Sequence, residues 1–212
     1  MSRPVIVLGG GGHAKVLIDT LLLQNRKVLG VTVPVGEFFG KSLLGIRCIG
    51  NDDTILEYPA DSIELVNGIG SVAAPDLRKR IFESFKGLGY EFTSVVHPSA
   101  VISAEAELAE GVQVMAGAII QTGSSIGANT IVNTKVSVDH DCAIGNHVHL
   151  APGVTLSGGV QVGDEVHIGT GATVIQGVRI GKNSIIGAGA LVLNDVAEGV
   201  TVVGVPAKEV QR

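Results

Sequence analysis

The fold is decided by residues 126–156, which read IGANTIVNTKVSVDHDCAIGNHVHLAPGVTL, with an aliphatic residue at every sixth position. The same period runs from Val96 to Val192, and all seventeen of its positions are aliphatic. A period of six fits neither a helix nor a hairpin, and it predicts the short strands of a parallel β-helix. Three hexads close one triangular coil, so residue i lies beside residue i+18, about 4.8 Å away.

Residues 1–92 lack this period and predict a separate Rossmann-like α/β domain, with the β-helix domain spanning 93–212. A strand is expected at Val5–Leu8, followed by a glycine-rich turn and a helix. The further elements that we expect are strands at Lys27–Val33 and Ile63–Val66, a helix from Pro75, and a strand from Phe92 into the repeat, with His97-Pro98 at the junction.

Composition narrows the function classes. The net charge is −5 and no basic cluster exceeds Arg78-Lys79-Arg80, which disfavours binding to nucleic acid or to an anionic membrane. No stretch of eighteen apolar residues predicts a membrane span, and the N-terminus has no secretory pattern. Two cysteines are too few for a disulfide framework, so we expect a cytoplasmic protein.

The turn Gly9-Gly10-Gly11-Gly12-His13-Ala14 lies between a predicted strand and a predicted helix. Backbone N–H groups in such a turn attract phosphate, although a tight turn without a ligand has the same composition. The second strand is followed by Thr32-Val33-Pro34-Val35 rather than by an acidic residue. We therefore expect a nucleoside diphosphate and not a dinucleotide.

His140 is the candidate base of the repeat, because the third position of its hexad lies at a corner where a side chain can face outward. Gly158 lies one coil away and can offer its N–H to an acyl oxygen, and Asp141 can orient the imidazole. A solvated corner histidine, with Gly158-Gly159 easing a turn, is the alternative. Cys142 is the rival nucleophile, but its hexad position predicts a buried packing residue.

Two further histidines, His149 and His167, are 18 residues apart and should stack on one outer face. Outward-facing aliphatic residues at Ile119, Ile131 and Ile185 would stay wet in a monomer and predict self-association, with a homotrimer as the expected state.

With these residues in place, the chain resembles the hexapeptide acyltransferases of the sialic acid O-acetyltransferase type, and most closely the bacillosamine and perosamine N-acetyltransferases. The similarity is carried by Gly9–His13, Gly68-Ile69-Gly70 with Arg78, His97-Pro98-Ser99-Ala100, Asn133-Thr134, His140-Asp141-Cys142, His149, Gly158 and Gly204-Val205-Pro206-Ala207-Lys208.

The resemblance implies a left-handed β-helix, a trimer, and acetyl-CoA bound as a co-substrate between neighbouring β-helices, with no metal. It implies catalytic roles for His140, Asp141 and Gly158. The residues that it assigns to the sugar nucleotide are Gly10, Gly11, Gly12, His13, Gly70 and Asn133, and those that it assigns to acetyl-CoA are His149, Gly158, Thr170, Ala188 and Lys208.

The predicted reaction is acetyl transfer to the amine of a nucleotide-linked 4-amino-4,6-dideoxy sugar. Many members of the family carry an acidic pair after the second strand that reads the base. This chain has Val33-Pro34-Val35 there, so uridine, guanosine and thymidine diphosphates stay open. Rival functions are sugar O-acetylation and a trimeric β-helix zinc lyase with His140, His149 and His167 as ligands. A scaffold without activity and a nucleotidyltransferase are less favoured by these residues.

Overall fold

In the computed structural model, residues 2–34, 42–70 and 75–210 are described. The chain divides into two compact units, Met1–Pro98 and Ser99–Arg212. The division falls at the His97-Pro98 junction, six residues after the boundary that the start of the repeat suggested. None of the described helices is both long and apolar enough to cross a membrane.

The first unit is an α/β layer whose sheet has the order β3-β4-β2-β1-β5. Strands β4, β2, β1 and β5 run parallel, while β3 pairs antiparallel with β4. Its elements are β1 (Val5–Leu8), α1 (Gly12–Leu23), β2 (Val28–Thr32), β3 (Ser42–Leu43), β4 (Ile46–Gly50), a 3₁₀ helix (Asp52–Glu57), β5 (Glu64–Asn67), α2 (Pro75–Gly87) and β6 (Val95–Val96). The strand expected at Ile63–Val66 is thus the fifth in the chain, because β3 and β4 precede it.

Helix α1 packs by a face formed by Ala14, Leu17, Ile18 and Leu21, all of which are fully buried. All four residues of β1 are also fully buried, as expected for a central parallel strand. The N-cap residue of α1, Gly11, makes no side-chain capping hydrogen bond, and the first turn of α1 contains no acidic residue. This helix end therefore carries the positive end of the macrodipole without a compensating group on the helix itself.

The second unit is a parallel β-helix with three faces. Sheet 1 contains β9 (Gln113–Val114), β12 (Ile131–Val132), β15 (His149–Leu150), β18 (His167–Ile168), β21 (Ile185–Ile186), β23 (Thr201–Val203) and β24 (Lys208–Val210). Sheet 2 contains β7 (Val101–Ile102), β10 (Ile119–Ile120), β13 (Ser137–Val138), β16 (Thr155–Leu156), β19 (Thr173–Val174) and β22 (Leu191–Val192). Sheet 3 contains β8 (Glu107–Leu108), β11 (Ser125–Ile126), β14 (Ala143–Ile144), β17 (Gln161–Val162) and β20 (Arg179–Ile180).

The register of the strands confirms the predicted spacing of 18 residues. Ile120 pairs with Val138, and Leu150 pairs with Ile168. Every sixth residue from Val114 to Val192 is buried, so the aliphatic series forms the interior of the prism. The three residues at the start of the series, Val96, Ile102 and Leu108, are half-buried. The parallel β-helix was correctly predicted, and its left-handedness stays a prediction.

Four glycines stack at the corner that leads from sheet 3 to sheet 1: Gly127, Gly145, Gly163 and Gly181. A Cβ atom on Gly163 would lie 2.7 Å from the backbone nitrogen of Lys182, in the next coil. A Cβ on Gly127 would lie 2.4 Å from the carbonyl carbon of Gly145. Glycine recurs after the aliphatic residue because successive coils approach too closely here for any side chain.

Candidate active site

His140 lies on the corner between sheet 2 and sheet 3, and its side chain is half exposed. Its Nδ1 lies 2.8 Å from Oδ2 of Asp141. A carboxylate can only accept this hydrogen bond, so Nδ1 carries the proton and Nε2 keeps its lone pair. The hydrogen bond to Asp141, supported by the charge of Asp139, raises the pKa of His140 above its usual value. The imidazole is thereby fixed in the tautomer that a general base needs, with Nε2 as the basic atom.

Gly158 lies directly against this imidazole, as the spacing of 18 residues predicted. A Cβ atom on Gly158 would lie 2.5 Å from Nε2 of His140, so only glycine leaves room for the ring. The carbonyl of His140 accepts the N–H of Gly159, and the carbonyl of Gly158 accepts the N–H of Gly177. Within the described ranges no acceptor bonds the N–H of Gly158 itself. A basic nitrogen and an open backbone donor therefore lie side by side.

Asp141 has a left-handed backbone, with a φ of +58°, and the matching positions of neighbouring coils are Gly123, Gly159 and Gly177, with φ of +71°, +68° and +74°. Non-glycine residues adopt this conformation at other corners too, among them Lys135 and His147. The functional argument for Asp141 therefore rests on its carboxylate, which lies beside His140.

Cys142 is buried, as its hexad position predicted. Its Sγ lies 3.3 Å from the carbonyl oxygen of Ser157, and burial raises the pKa of the thiol. A thiol that is both inaccessible and hard to ionise is a poor nucleophile, so the geometry favours direct attack on a thioester over an acyl-cysteine.

His149 and His167 stack as predicted, with ring centroids 5.0 Å apart and an edge-to-face angle of 77°. They are not both surface groups, however, because His149 is only 6% exposed. Nδ2 of Asn133 lies 3.2 Å from Nε2 of His149, and Oδ1 of Asn133 accepts the N–H of Thr134. Two residues assigned to different ligands are thus in contact. Burial also lowers the pKa of His167.

Two other residues assigned to acetyl-CoA lie at the corner between sheet 1 and sheet 2. Thr170 and Ala188 are one coil apart on this corner, and both are exposed. The carbonyl of Thr170 accepts the N–H of Gly189. In the described part of the chain no acceptor bonds the N–H of Thr170 or of Ala188. Lys208 lies in β24, paired with Val203. Within one chain these residues and His140 lie on different corners.

The glycine-rich turn lies at the carboxyl end of β1. Gly10 packs against Val33, directly after β2, because a Cβ atom on Gly10 would lie 2.6 Å from Cγ1 of Val33. Around Gly11 and Gly12 a Cβ would meet nothing within 4 Å, so this side of the turn is open. Gly70 lies close to His13, because a Cβ atom on Gly70 would lie 3.8 Å from the Cβ of His13. The structure therefore brings Gly10, Gly11, Gly12, His13 and Gly70 together at one edge.

Arg78 stabilises the loop that carries Gly70, and it is only 3% exposed. Nη1 of Arg78 donates to the carbonyls of Asn67 and Ile69, at 2.8 and 2.7 Å. Burial lowers the pKa of Arg78 to about 9. The two glycine loops interlock, because a Cβ on Gly9 would lie 2.6 Å from Cδ1 of Ile69.

The sequence reading missed Asn51, Asp52 and Asp53, which follow β4 at the same edge of the sheet. Oδ1 of Asp52 accepts a hydrogen bond of 2.5 Å from the hydroxyl of Thr32, at the end of β2. The observation that no acidic residue follows β2 holds along residues 32–34, but the fold brings the carboxylate of Asp52 to the end of β2. Val35 lies outside the described residues. The available signal was three polar residues directly after a short apolar strand.

No group of three or more histidine, cysteine or acidic side chains arranged to hold a metal ion occurs in residues 2–34, 42–70 and 75–210.

The fold, the pairing of His140 with Gly158, the corner with Thr170 and Ala188, and the glycine-rich turn together define a class of protein. It is the hexapeptide acyltransferase class with an added N-terminal α/β domain. Residues 4–85 match the family model described as the PglD N-terminal domain, and residues 159–194 match that of the bacterial transferase hexapeptide, six repeats. The chain belongs to this family of sugar N-acetyltransferases, as its full-length similarity to a solved member shows.

That member is PerB from Caulobacter crescentus, a perosamine N-acetyltransferase solved in complex with CoA and GDP-perosamine. The similarity covers 100% of this chain and 99% of PerB, with 37% identity and a TM-score of 0.91. The acetyltransferase domain of PglB from Neisseria gonorrhoeae, solved with acetyl coenzyme A, is 33% identical over 99% of this chain and 100% of that domain, with a TM-score of 0.91.

Among curated proteins, GDP-perosamine N-acetyltransferase of Escherichia coli is 36% identical over 88 residues. This match spans 42% of the chain and 40% of the relative's length.

Proposed function

We propose that the protein transfers an acetyl group from acetyl-CoA to the amine of a nucleotide-linked 4-amino-4,6-dideoxy sugar. The observation that carries this proposal is the juxtaposition of His140 Nε2, Gly158 N–H and the Asp141 carboxylate. The solved relatives bind CoA, acetyl-CoA and GDP-perosamine, which supports the same co-substrate and substrate class here.

In the proposed reaction the amine nitrogen attacks the thioester carbonyl carbon, forming a C–N bond. Nε2 of His140 removes the proton that the amine loses, and Asp141 stabilises the imidazolium that results. The N–H of Gly158 donates to the carbonyl oxygen as it becomes negative. The C–S bond then breaks, and the proton on His140 neutralises the departing thiolate, which leaves free CoA and the acetamido sugar.

The two ligands are assigned to different units. The nucleotide binds the N-terminal domain, proposed as residues 1–92, through the open glycine turn and the uncapped N-terminus of α1. Acetyl-CoA binds the β-helix, residues 93–212. The N–H groups of Thr170 and Ala188, which bond no acceptor among the described residues, suit the amide groups of its pantetheine arm. Asn133 and His149 form a polar pair on the same side.

The homotrimer is proposed from two features. The outer row of sheet 2 (Val101, Ile119, Ser137, Thr155, Thr173 and Leu191) contains no charged side chain, and Val101 and Ile119 are 64% and 37% exposed. Ile131 does not contribute, because it is 1% exposed, contrary to the expectation from sequence. The separation of His140 and Thr170 on different corners also favours a site completed by a neighbouring chain. Light scattering should give three times the chain mass of 21.7 kDa, and a monomeric mass at micromolar concentration contradicts this proposal.

The function is tested by incubating the protein with acetyl-CoA and a panel of sugar nucleotides while free thiol is measured. The panel pairs GDP-, UDP- and dTDP-linked 4-amino sugars with their 4-hydroxy counterparts. We expect thiol release with a 4-amino sugar and little with its 4-hydroxy counterpart. Release with hydroxyl acceptors alone would replace this proposal with O-acetylation, and no release from any nucleotide sugar would reject it.

A further inference from the structure

The carboxyl ends of β1, β2 and β4 form a continuous edge in the first unit. Leu8 of β1 lies beside Thr32 of β2, and Thr32 lies beside Gly50 of β4. Backbone hydrogen bonds continue past the strand ends, from Gly9 N–H to Thr32 O at 2.8 Å and from Val33 N–H to Gly50 O at 2.9 Å. The glycine turn and Asp52 are thus separated by two strand spacings, roughly 10 Å. A nucleoside whose diphosphate lies on the turn can span this distance.

Asp52 is held in a defined orientation at this edge. Thr32 is fully buried, and its hydroxyl donates to Oδ1 of Asp52 at 2.5 Å. Asp52 itself is half-buried, and in the described ranges no donor bonds its Oδ2. The neighbouring carboxylate differs, because Oδ2 of Asp53 already accepts from the amide of Asn51 at 2.9 Å. Asp52 therefore presents an oriented acceptor without a described partner.

Bases differ in what they offer to a carboxylate, which can only accept hydrogen bonds. Guanine presents two adjacent donors, N1–H and the exocyclic N2 amine, which match two carboxylate oxygens. Uracil and thymine present a single N–H between two carbonyl oxygens that repel the carboxylate. Each carboxylate oxygen has more than one lone pair, so the bond from Thr32 still leaves Oδ1 able to accept another.

We propose that Asp52 is a specificity-determining residue that reads the Watson–Crick edge of guanine, with Thr32 as the residue that positions it. The inference rests on the proposed function and names its nucleotide as a guanosine diphosphate. In this proposal Asp52, which follows the adjacent strand β4, takes the role that the family resemblance gives to an acidic pair after the second strand.

The test is calorimetry of the CoA-saturated protein with GDP, IDP and UDP. IDP differs from GDP by the absence of the N2 amine alone. The wild-type protein should bind GDP about 10- to 100-fold more tightly than IDP, which corresponds to one charge-assisted hydrogen bond. Asp52→Asn should weaken GDP by a similar factor, bring the GDP-to-IDP ratio close to one, and leave UDP unchanged or tighter.

Thr32→Val removes the positioning hydroxyl at nearly constant volume, and should reduce the GDP-to-IDP ratio by less than Asp52→Asn does. Asp61→Asn is the matched control, since the exposed Asp61 precedes β5 and lies at the opposite edge of the sheet. It makes the same charge change and should retain the wild-type ratio.

Equal wild-type affinity for GDP and IDP, or a loss in Asp52→Asn that is the same for all three nucleotides, would overturn the inference. If Asp52→Asn also loses CoA and is misfolded, an unchanged ratio in Thr32→Val has the same consequence. Persistent thiol release from amino-sugar nucleotides without a preference for guanine would reject this inference alone. Absence of thiol release would reject the proposed function.

Discussion

Two corners of the β-helix follow the same six-residue repeat and differ in what they tolerate. At the corner from sheet 3 to sheet 1, glycine recurs in four coils and the backbones lie in contact. At the corner from sheet 2 to sheet 3, Gly123, Gly159 and Gly177 are left-handed, and Asp141 adopts the same conformation with a side chain. The first corner also carries left-handed side chains, at Asn129, His147, Glu165 and Asn183. What distinguishes the second corner is therefore the hydrogen bond between its left-handed residue, Asp141, and His140.

The largest expected effect concerns the side chain of His140, at the corner from sheet 2 to sheet 3. His140→Ala should reduce kcat by about 10²–10⁴-fold, the usual range for loss of a general base. CoA binding and the oligomeric state should be unchanged, because the imidazole is half exposed. Steady-state kinetics with saturating amino sugar measures the effect, and a nearly unchanged kcat would show that another group or solvent takes the proton.

The adjacent glycines of the same corner should separate activity from stability. The backbone of Gly158 lies outside the left-handed region, so Gly158→Ala costs little stability, but its Cβ displaces the ring of His140. We expect kcat to fall about 10²-fold. Gly159→Ala has open space for its Cβ but a φ of +68°, and should cost about 1–2 kcal/mol with kcat retained. Thermal unfolding with kinetics on both variants tests this, and parallel losses in both would contradict it.

The glycine stack should respond in stability alone. Gly163→Ala places a methyl group against the backbone of Lys182 and should reduce the free energy of unfolding by about 1–3 kcal/mol. The exposed Gln161, in the same coil, provides the control Gln161→Ala, for which we expect a change within about 0.5 kcal/mol. Denaturant titration compares the two, and equal values would mean that the coils separate at this corner without cost.

The smallest effect is expected when Asp141 is replaced by the glycine that neighbouring coils carry at this position. Asp141→Gly should raise stability by up to about 1 kcal/mol, because glycine adopts the left-handed conformation without strain. It should also lower kcat, since Nδ1 of His140 loses its acceptor. Asp141 raises the pKa of His140, and the neutral form is the base, so activity is lost as pH falls through that pKa. Without Asp141 this acidic limb should move to lower pH. A pH profile of kcat/KM measures the shift, and an unmoved limb would remove Asp141 from the mechanism.

The β-helix and the pairing of His140 with Gly158 could be predicted from sequence, because one period determines both the core and the i+18 neighbours. The burial of Ile131 and His149 could not, since the period states which face a residue is on and not what covers that face. In the first unit, Val16 and Leu22 share the helical spacing of Leu17 and Leu21, yet they are 46% and 42% exposed. Helical spacing alone does not distinguish a stripe of Leu17, Ile18 and Leu21 from one shifted by a residue.

Strand β4 was missed because only five residues form it, and Arg47 interrupts its apolar pattern. Asp52 was missed with it, since its position at the binding edge follows from the strand order and not from its neighbours in sequence. Asn133 and His149 were named as site residues, but their contact joins positions 16 residues apart and falls outside the i+18 rule.

The hairpin of β23 and β24 has a consequence for solubility. A parallel coil ends in unpaired N–H and C=O groups, which can add a strand from another molecule. Here β23 continues sheet 1 in parallel, and β24 then reverses direction and pairs antiparallel with it. The reversal puts a strand of opposite polarity, carrying the exposed Lys208, where the next coil would otherwise begin. This hairpin should therefore oppose end-to-end pairing through sheet 1, and Lys208, which the resemblance assigns to acetyl-CoA, lies within it.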